Sequence, residues 1–224
     1  MLSIIIPVLN EASTIASTLE HVLTLEGDYE VIVVDGGSAD DTVVIASRYA
    51  RVLRSERGRG SQMNVGARAA RGNLLLFLHA DTLLPPGAIA RVEQVFSDSR
   101  LVGGRFKVEL SHPGWVFRII AFMINLRDYF FRGFTGDQAI FIRADIFRDL
   151  GGYREIPLME DLDLSKRMME AGRVIRLPLS VTTSSRRWEK DGVVKTIVLM
   201  WLLRLLYVSG LPPSRLKRLY GETR

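Results

Sequence analysis

Apolar positions in the first hundred residues follow two alternating rhythms. Ile4–Val8 is an unbroken run of strand length, and Ile15, Leu19 and Val22 then recur at helical spacing. Glu30–Val34 reads as a second buried strand. Ser38, Asp40, Asp41 and Thr42 open a helix with anionic residues in its first turn. Arg51–Ser55 reads as a strand, Gln62–Ala70 as a helix with Met63, Ala67 and Ala70 on one face, and Leu74–His79 as the most apolar strand. Ile89, Val92 and Phe96 mark a further helix after the Pro85-Pro86 turn. Fully apolar strands alternating with helices predict a mostly parallel sheet covered on both faces, whose ligands bind beyond the carboxyl ends of the strands.

The rhythm changes after residue 100. Gly103–Leu110 and Ala139–Arg143 read as strands, Glu160–Ala171 as a helix closed by Gly172, and Arg173–Leu177 as a last strand. Two long apolar runs, Trp115–Phe131 and Val193–Ser209, read as helices. Each spans about 26 Å at ~1.5 Å per residue, less than a ~30 Å hydrocarbon core. Their basic pairs, Arg118/Arg127 and Lys195/Arg204, lie nine residues apart and so on opposite helix faces. Neither run is read as membrane-spanning. Core packing, a homodimer interface, or peripheral contact with anionic lipid beside the basic tail of Arg215, Lys217 and Arg218 all fit. The pattern predicts one α/β domain over 1–190, with a nucleotide-binding half (1–100) and an acceptor half (101–190). An apolar helix and basic tail follow over 191–224.

Composition narrows the classes. The chain has 224 residues, 47% of them apolar and 25% charged, which fits a globular domain with a real core. It has no cysteine, which excludes disulfides, thiolate metal sites and cysteine nucleophiles and suits a reducing cytosol. The opening residues lack a basic lead and are broken by Pro7, so they read as a strand rather than a signal peptide. Cytoplasmic placement is expected, with the inner face of a membrane as the surface for any peripheral contact. Net charge +5 and pI near 9.7 favour anionic partners. Nucleic acid is not expected, because the basic residues are dispersed and no reading motif appears.

The polar residues gather where strands end. Asp35, followed by Gly36 and Gly37, can accept hydrogen bonds from a ribose or base edge, or simply make a strand–turn–helix junction. Asp81 can supply one carboxylate to a hard divalent cation that takes its other ligands from phosphates. His79, two residues earlier, is either a further ligand or a hydrogen-bonded neighbour. The Arg57–Gln62 loop, with Gly60, is basic and glycine-rich and leads into a helix, a setting that suits phosphate. It lacks the lysine and hydroxyl of a P-loop. Glu160, Asp161 and Asp163 start a helix, where acids complement the dipole or provide a general base; Gly136-Asp137-Gln138 adds a polar turn upstream. Arg186, Arg187 and Trp188 can hold a diphosphate and stack on a sugar or base, or stack on one another at the surface.

In order and spacing, Ile4-Ile-Ile-Pro7-Val-Leu-Asn10-Glu11, Val33-Val-Asp35-Gly-Gly-Ser-Ala-Asp-Asp-Thr42, Leu78-His-Ala-Asp81-Thr and Glu160-Asp161-Leu-Asp163 resemble the family-2-type glycosyltransferases of GT-A fold, in a small bacterial subgroup. The resemblance covers roughly residues 3 to 190. It implies a hexosyltransferase-type enzyme that moves a sugar from a nucleotide-diphosphate sugar, most often a UDP-sugar, to a hydroxyl of a lipid, saccharide or other acceptor. It implies Mn²⁺ or Mg²⁺ held at Asp81, which matches the last carboxylate of the family's Asp-x-Asp motif. Pro7, Asn10 and Glu11 would line the nucleotide pocket, Asp35 would contact the base, and Asp161 matches the catalytic base. Arg187-Trp188 resembles the end of the Gln-x-x-Arg-Trp motif. Two positions depart from the pattern: His79 replaces the first Asp of Asp-x-Asp, and Ser184 replaces the Gln. Direct displacement would invert the anomeric carbon. The alternatives are a nucleotidyltransferase, which would carry a Gly-rich basic loop after the first strand, and a non-catalytic sugar-nucleotide-binding protein. Asp35, Asp81 and Asp161 are expected around one pyrophosphate-sized hollow.

Overall fold

The computed structural model describes residues 1–131 and 133–221, without the side chains of 127–131 and 191. The side chain of Arg127, expected opposite Arg118, therefore lies outside what is described. The chain runs β1 (Leu2–Val8), α1 (Ile15–Leu23), β2 (Tyr29–Asp35), α2 (Thr42–Ala46), β3 (Arg51–Arg54), α3 (Arg59–Ala69), β4 (Leu74–Phe77), β5 (Thr82–Leu83) and α4 (Ala88–Val95). It continues with β6 (Leu101–Leu110), α5 (Trp115–Phe131), a 3-10 turn at Gly136–Gln138, β7 (Ile140–Arg143), α6 (Ala144–Asp149) and α7 (Glu160–Ala171). The last elements are β8 (Arg173–Thr183), α8 (Arg186–Asp191), α9 (Val193–Val208) and α10 (Pro213–Tyr220).

One eight-stranded sheet, in the order β3-β2-β1-β4-β7-β6-β8-β5, runs through the molecule. Strands β3, β2, β1 and β4 are parallel; β7 runs antiparallel between β4 and β6, and β8 pairs parallel with β6. Strand β1 is buried along its whole length because helices cover both faces. Alternate residues serve two cores. Ile4, Ile6 and Val8 meet Ile15, Leu19 and Val22 of α1 on one face, while Ile5 joins Ile32, Leu75 and Phe77 on the other.

The last strand is longer than the apolar run Arg173–Leu177 implied. It continues through Pro178 to Thr183, with an irregular register against β6 that absorbs the interruption. The basic tail is partly helix, α10, with Leu216 buried as its anchor. The two long apolar runs form α5 and α9, but each buries only one side. Helix α5 buries Phe117 and Ile120 and leaves Trp115 and Phe122 exposed, and α9 buries Leu203 and Arg204 while Val194 and Leu205 face outward. Core packing thus takes up only part of each helix. Among the described residues no helix is long and apolar enough to cross a membrane.

Gly103 marks the closest approach between strands. A Cβ there would lie 2.3 Å from the carbonyl oxygen of Phe141 and 2.9 Å from the Cα of Ile142, both rigid backbone of β7. Gly103→Ala is expected to lower stability by about 1–3 kcal/mol, the usual cost of overpacking, read as a lower urea midpoint at constant slope. An unchanged midpoint would mean that β6 and β7 do not pack this closely.

Candidate active site

The topology brings several chain segments to one sheet edge. Strands β1 and β4 end there, as do β6 and β8, while antiparallel β7 begins there, so the turn before it joins them. A cavity of about 520 Å³ opens at this edge. Asn10 and Glu11 line it after β1, His79 and Asp81 after β4, Thr135 and Asp137 before β7, Thr183 and Ser184 at the end of β8, and Glu160 and Asp161 at the start of α7.

The loop carrying Asp81 is fixed through its own carbonyls. Those of His79, Ala80 and Asp81 accept hydrogen bonds from Thr82 N–H (3.1 Å), the Thr18 hydroxyl (2.6 Å) and Ser184 N–H (3.2 Å). The Asp81 carboxylate is left facing the cavity. The Arg186 guanidinium stands 3.6 Å from it and 3.6 Å from the Glu11 carboxylate, so one cation spans the loops after β1 and β4. The His79 ring packs on Gly136: a Cβ at that glycine would come 2.6 Å from Nε2, so only glycine fits there without displacing the ring.

The three acids opening α7 have separate surroundings. Asp163 pairs with Arg154 (2.9 Å) and Arg167 (2.7 Å) and belongs to the framework. Glu160, nearly buried, lies 3.9 Å from Arg59. The Asp161 carboxylate accepts hydrogen bonds from the backbone N–H groups of Gly136 and Leu162, both at 2.8 Å. Burial raises its pKa above the ordinary aspartate value, and the nearby Asp137 charge adds to this. The two N–H donors and Arg59 pull the other way. The outcome is a carboxylate fixed in direction and more basic than usual, as a general base requires. It sits on a helix whose start is set by Met159 at φ +71°.

The remaining expected residues are less uniform. Arg187 lines the cavity with its guanidinium 4.2 Å above the Tyr220 ring, and Trp188 also reaches the wall. Asp35 does not line the cavity. It is buried, and its carboxylate accepts from the N–H groups of Gly37 (3.0 Å) and Ser38 (3.1 Å), closing its own turn. Asp35 therefore stands behind the wall, and only Asp81 and Asp161 of the three expected carboxylates share the hollow. Pro7 lies inside β1. Gly36 packs on Gln62, whose amide bonds the carbonyls of Val8 and Val34. Arg57 is exposed, and Gly60 lets α3 approach the carbonyl of Arg154. Neither Arg57 nor Gly60 is on the cavity wall, whereas Arg59 is.

The loops after β1 and β2 are stitched together. Asn10 N–H donates to the Ser38 hydroxyl, Ala39 N–H to Asn10 Oδ1, and Glu11 N–H to the Thr42 hydroxyl. Of the arginines expected near the leaving group, Arg59 and Arg187 reach the wall and Arg57 does not, and sequence reasoning missed Tyr220 altogether. The helical period of Arg215–Tyr220 was the available signal for the latter.

Comparison with known proteins identifies the family and the fold. The sequence model described as Glycosyl transferase family 2 matches residues 3–150. The chain is 30% identical to a PGL/p-HBAD biosynthesis glycosyltransferase of Mycobacterium tuberculosis, over 93% of this chain and 85% of that one. Among solved structures it is similar to S. aureus TarS 1-349 in complex with UDP-GlcNAc. The TM-score is 0.64 at 17% identity, covering 82% of this chain and 58% of that one. It is also similar to the mannosyltransferase PcManGT from Pyrobaculum calidifontis in complex with GDP-Man and Mn²⁺. There the TM-score is 0.61 at 21% identity, covering 81% of this chain and 56% of that one.

Proposed function

Because the chain belongs to glycosyl transferase family 2 and is a glycosyltransferase of GT-A fold, we propose that it transfers a sugar from a nucleoside-diphosphate sugar to an acceptor hydroxyl by a metal-assisted, inverting displacement. The observation that carries the reading is that Asp81 and Asp161 line one cavity from different segments, the first beside Arg186 and the second held by backbone N–H groups.

The donor set at Asp81 fits a hard divalent cation. Such ions take one or two carboxylates and complete their shell with phosphate oxygens and water. Among the described residues no three or more His, Asp or Glu side chains gather into a metal cluster, and a bound diphosphate would complete the ion's shell. Asp81 would hold the ion, with His79 adjacent. When bound, Mn²⁺ or Mg²⁺ neutralises the charge that builds on the departing diphosphate.

The protein's own groups do the rest. Asn10 and Glu11 border the nucleotide, with Pro7, Asp35 and Gly36 supporting that loop from behind. Arg59, Arg186 and Arg187 on the cavity wall add fixed positive charge where negative charge develops. Asp161 takes the proton from the acceptor hydroxyl. The new bond forms from that oxygen to the anomeric carbon as the carbon–oxygen bond to the diphosphate breaks, and the electron pair leaves with the diphosphate. One displacement inverts the configuration.

The test is release of nucleoside diphosphate from a panel of UDP-, GDP- and dTDP-sugars in the presence of Mn²⁺. The UDP- and GDP-sugars of the two solved relatives set the first arms. Slow hydrolysis of at least one donor is expected, because water can replace the acceptor. A chain that neither hydrolyses nor binds any of them would refute the reading.

A further inference from the structure

The cavity also has a second, apolar wall. It is lined by Ile120, Met123 and Ile124 of α5 and by Ile197, Met200 and Trp201 of α9. A nucleotide, a diphosphate and a sugar are polar along their length. An apolar wall gains free energy only when a ligand covers it with apolar surface. Both helices are tied to the body of the fold, so the wall is preformed. Asn125 of α5 exchanges two hydrogen bonds with the backbone of Val108, and Arg204 of α9 donates to the carbonyl of Gly133. The same cavity holds the carboxylate of Asp161, at the point where an acceptor hydroxyl must arrive.

We propose that the acceptor is an amphiphile, with its hydroxyl head at Asp161 and its alkyl chain between α5 and α9. The proposal rests on the glycosyl-transfer reading and adds the acceptor class to it. Charge placement supports this orientation. Arg59, Arg186 and Arg187 stand on the cavity wall with Asp81 and Asp161, whereas the six residues of the second wall carry no charge and, apart from the indole N–H of Trp201, no strong hydrogen-bonding group.

Hexyl, octyl and decyl β-D-glucosides, kept below their micelle concentrations, test it by calorimetry with the full chain. The head is constant, so the chain alone changes. Affinity is expected to rise about fourfold per added methylene over part of the series. Ile197→Gln and Met200→Gln, each on the cavity wall, should flatten that rise. Phe122→Gln and Val198→Gln, on outward faces of the same helices, should leave it unchanged. A flat series in the wild-type chain, or equal losses from wall and outward variants, overturns the proposal; the wild-type series needs no variant to fold. A parallel titration with UDP and Mn²⁺ separates the two readings. A flat series with nucleotide binding intact removes the amphiphile alone, whereas absence of nucleotide binding removes the donor assignment and the acceptor role with it.

Discussion

Asp161→Asn is expected to keep nucleotide binding and to lose transfer by at least ~100-fold, the usual contribution of a positioned general base. The substitution preserves shape and keeps an acceptor oxygen for one of the two N–H groups, of Gly136 or Leu162, while removing the basic site. The pH profile offers an independent check. Burial raises the Asp161 pKa, and the group serves as a base only when ionised. Transfer should therefore fall as pH drops through a value above the ordinary aspartate pKa of ~4. That acid limb should vanish from whatever activity remains in the variant. The sign for stability is the opposite one: a raised folded-state pKa makes the ionised form costly, so removing the charge does not in itself weaken the fold. A normal melting curve would then assign the loss to chemistry. Turnover close to wild type would remove Asp161 from the mechanism.

Asp81→Ala should act on binding instead. Calorimetry with and without Mn²⁺ is expected to show that the metal-dependent gain in donor affinity falls by ~10-fold or more. Groups that merely support a metal ligand already matter on that scale. Arg186 would lose one of its two carboxylate partners, but the loop should keep its place because its carbonyls still accept from Thr82, Thr18 and Ser184. Donor affinity equally dependent on Mn²⁺ in the variant would place the ion elsewhere.

Most of the architecture was legible because apolar periodicity directly encodes burial. Strand β1 reads as continuous and is buried at every residue, and α1 and α7 sit where the periodicity and Gly172 place them. Elements of fewer than two helical turns, such as α6 and α8, and the two-residue β5 leave too few positions to register. Strand β8 outran its apolar run because its continuation owes its strand state to pairing with β6 and β5, which is tertiary information.

The site was legible in its parts but not in its divisions. Spacing put Glu160, Asp161 and Asp163 on one helix turn. Which of them faces open space depends on Arg59, Arg154 and Arg167, contributed by other segments. Likewise, a carboxylate at a strand end can turn toward a ligand or back onto its own loop. Asp35 takes the second course, which the residues alone left open. The apolar character of the two long runs was plain from composition, yet their contribution to the cavity wall depends on where α5 and α9 cross the sheet edge.

The three carbonyls anchored beneath His79, Ala80 and Asp81 carry a cost that folding has already met. A flexible acidic loop would lose backbone freedom at the moment of capture, of order 1–2 kcal/mol for each residue immobilised. Here that entropy is lost on folding, so any ligand held at Asp81 keeps more of its contact energy as affinity.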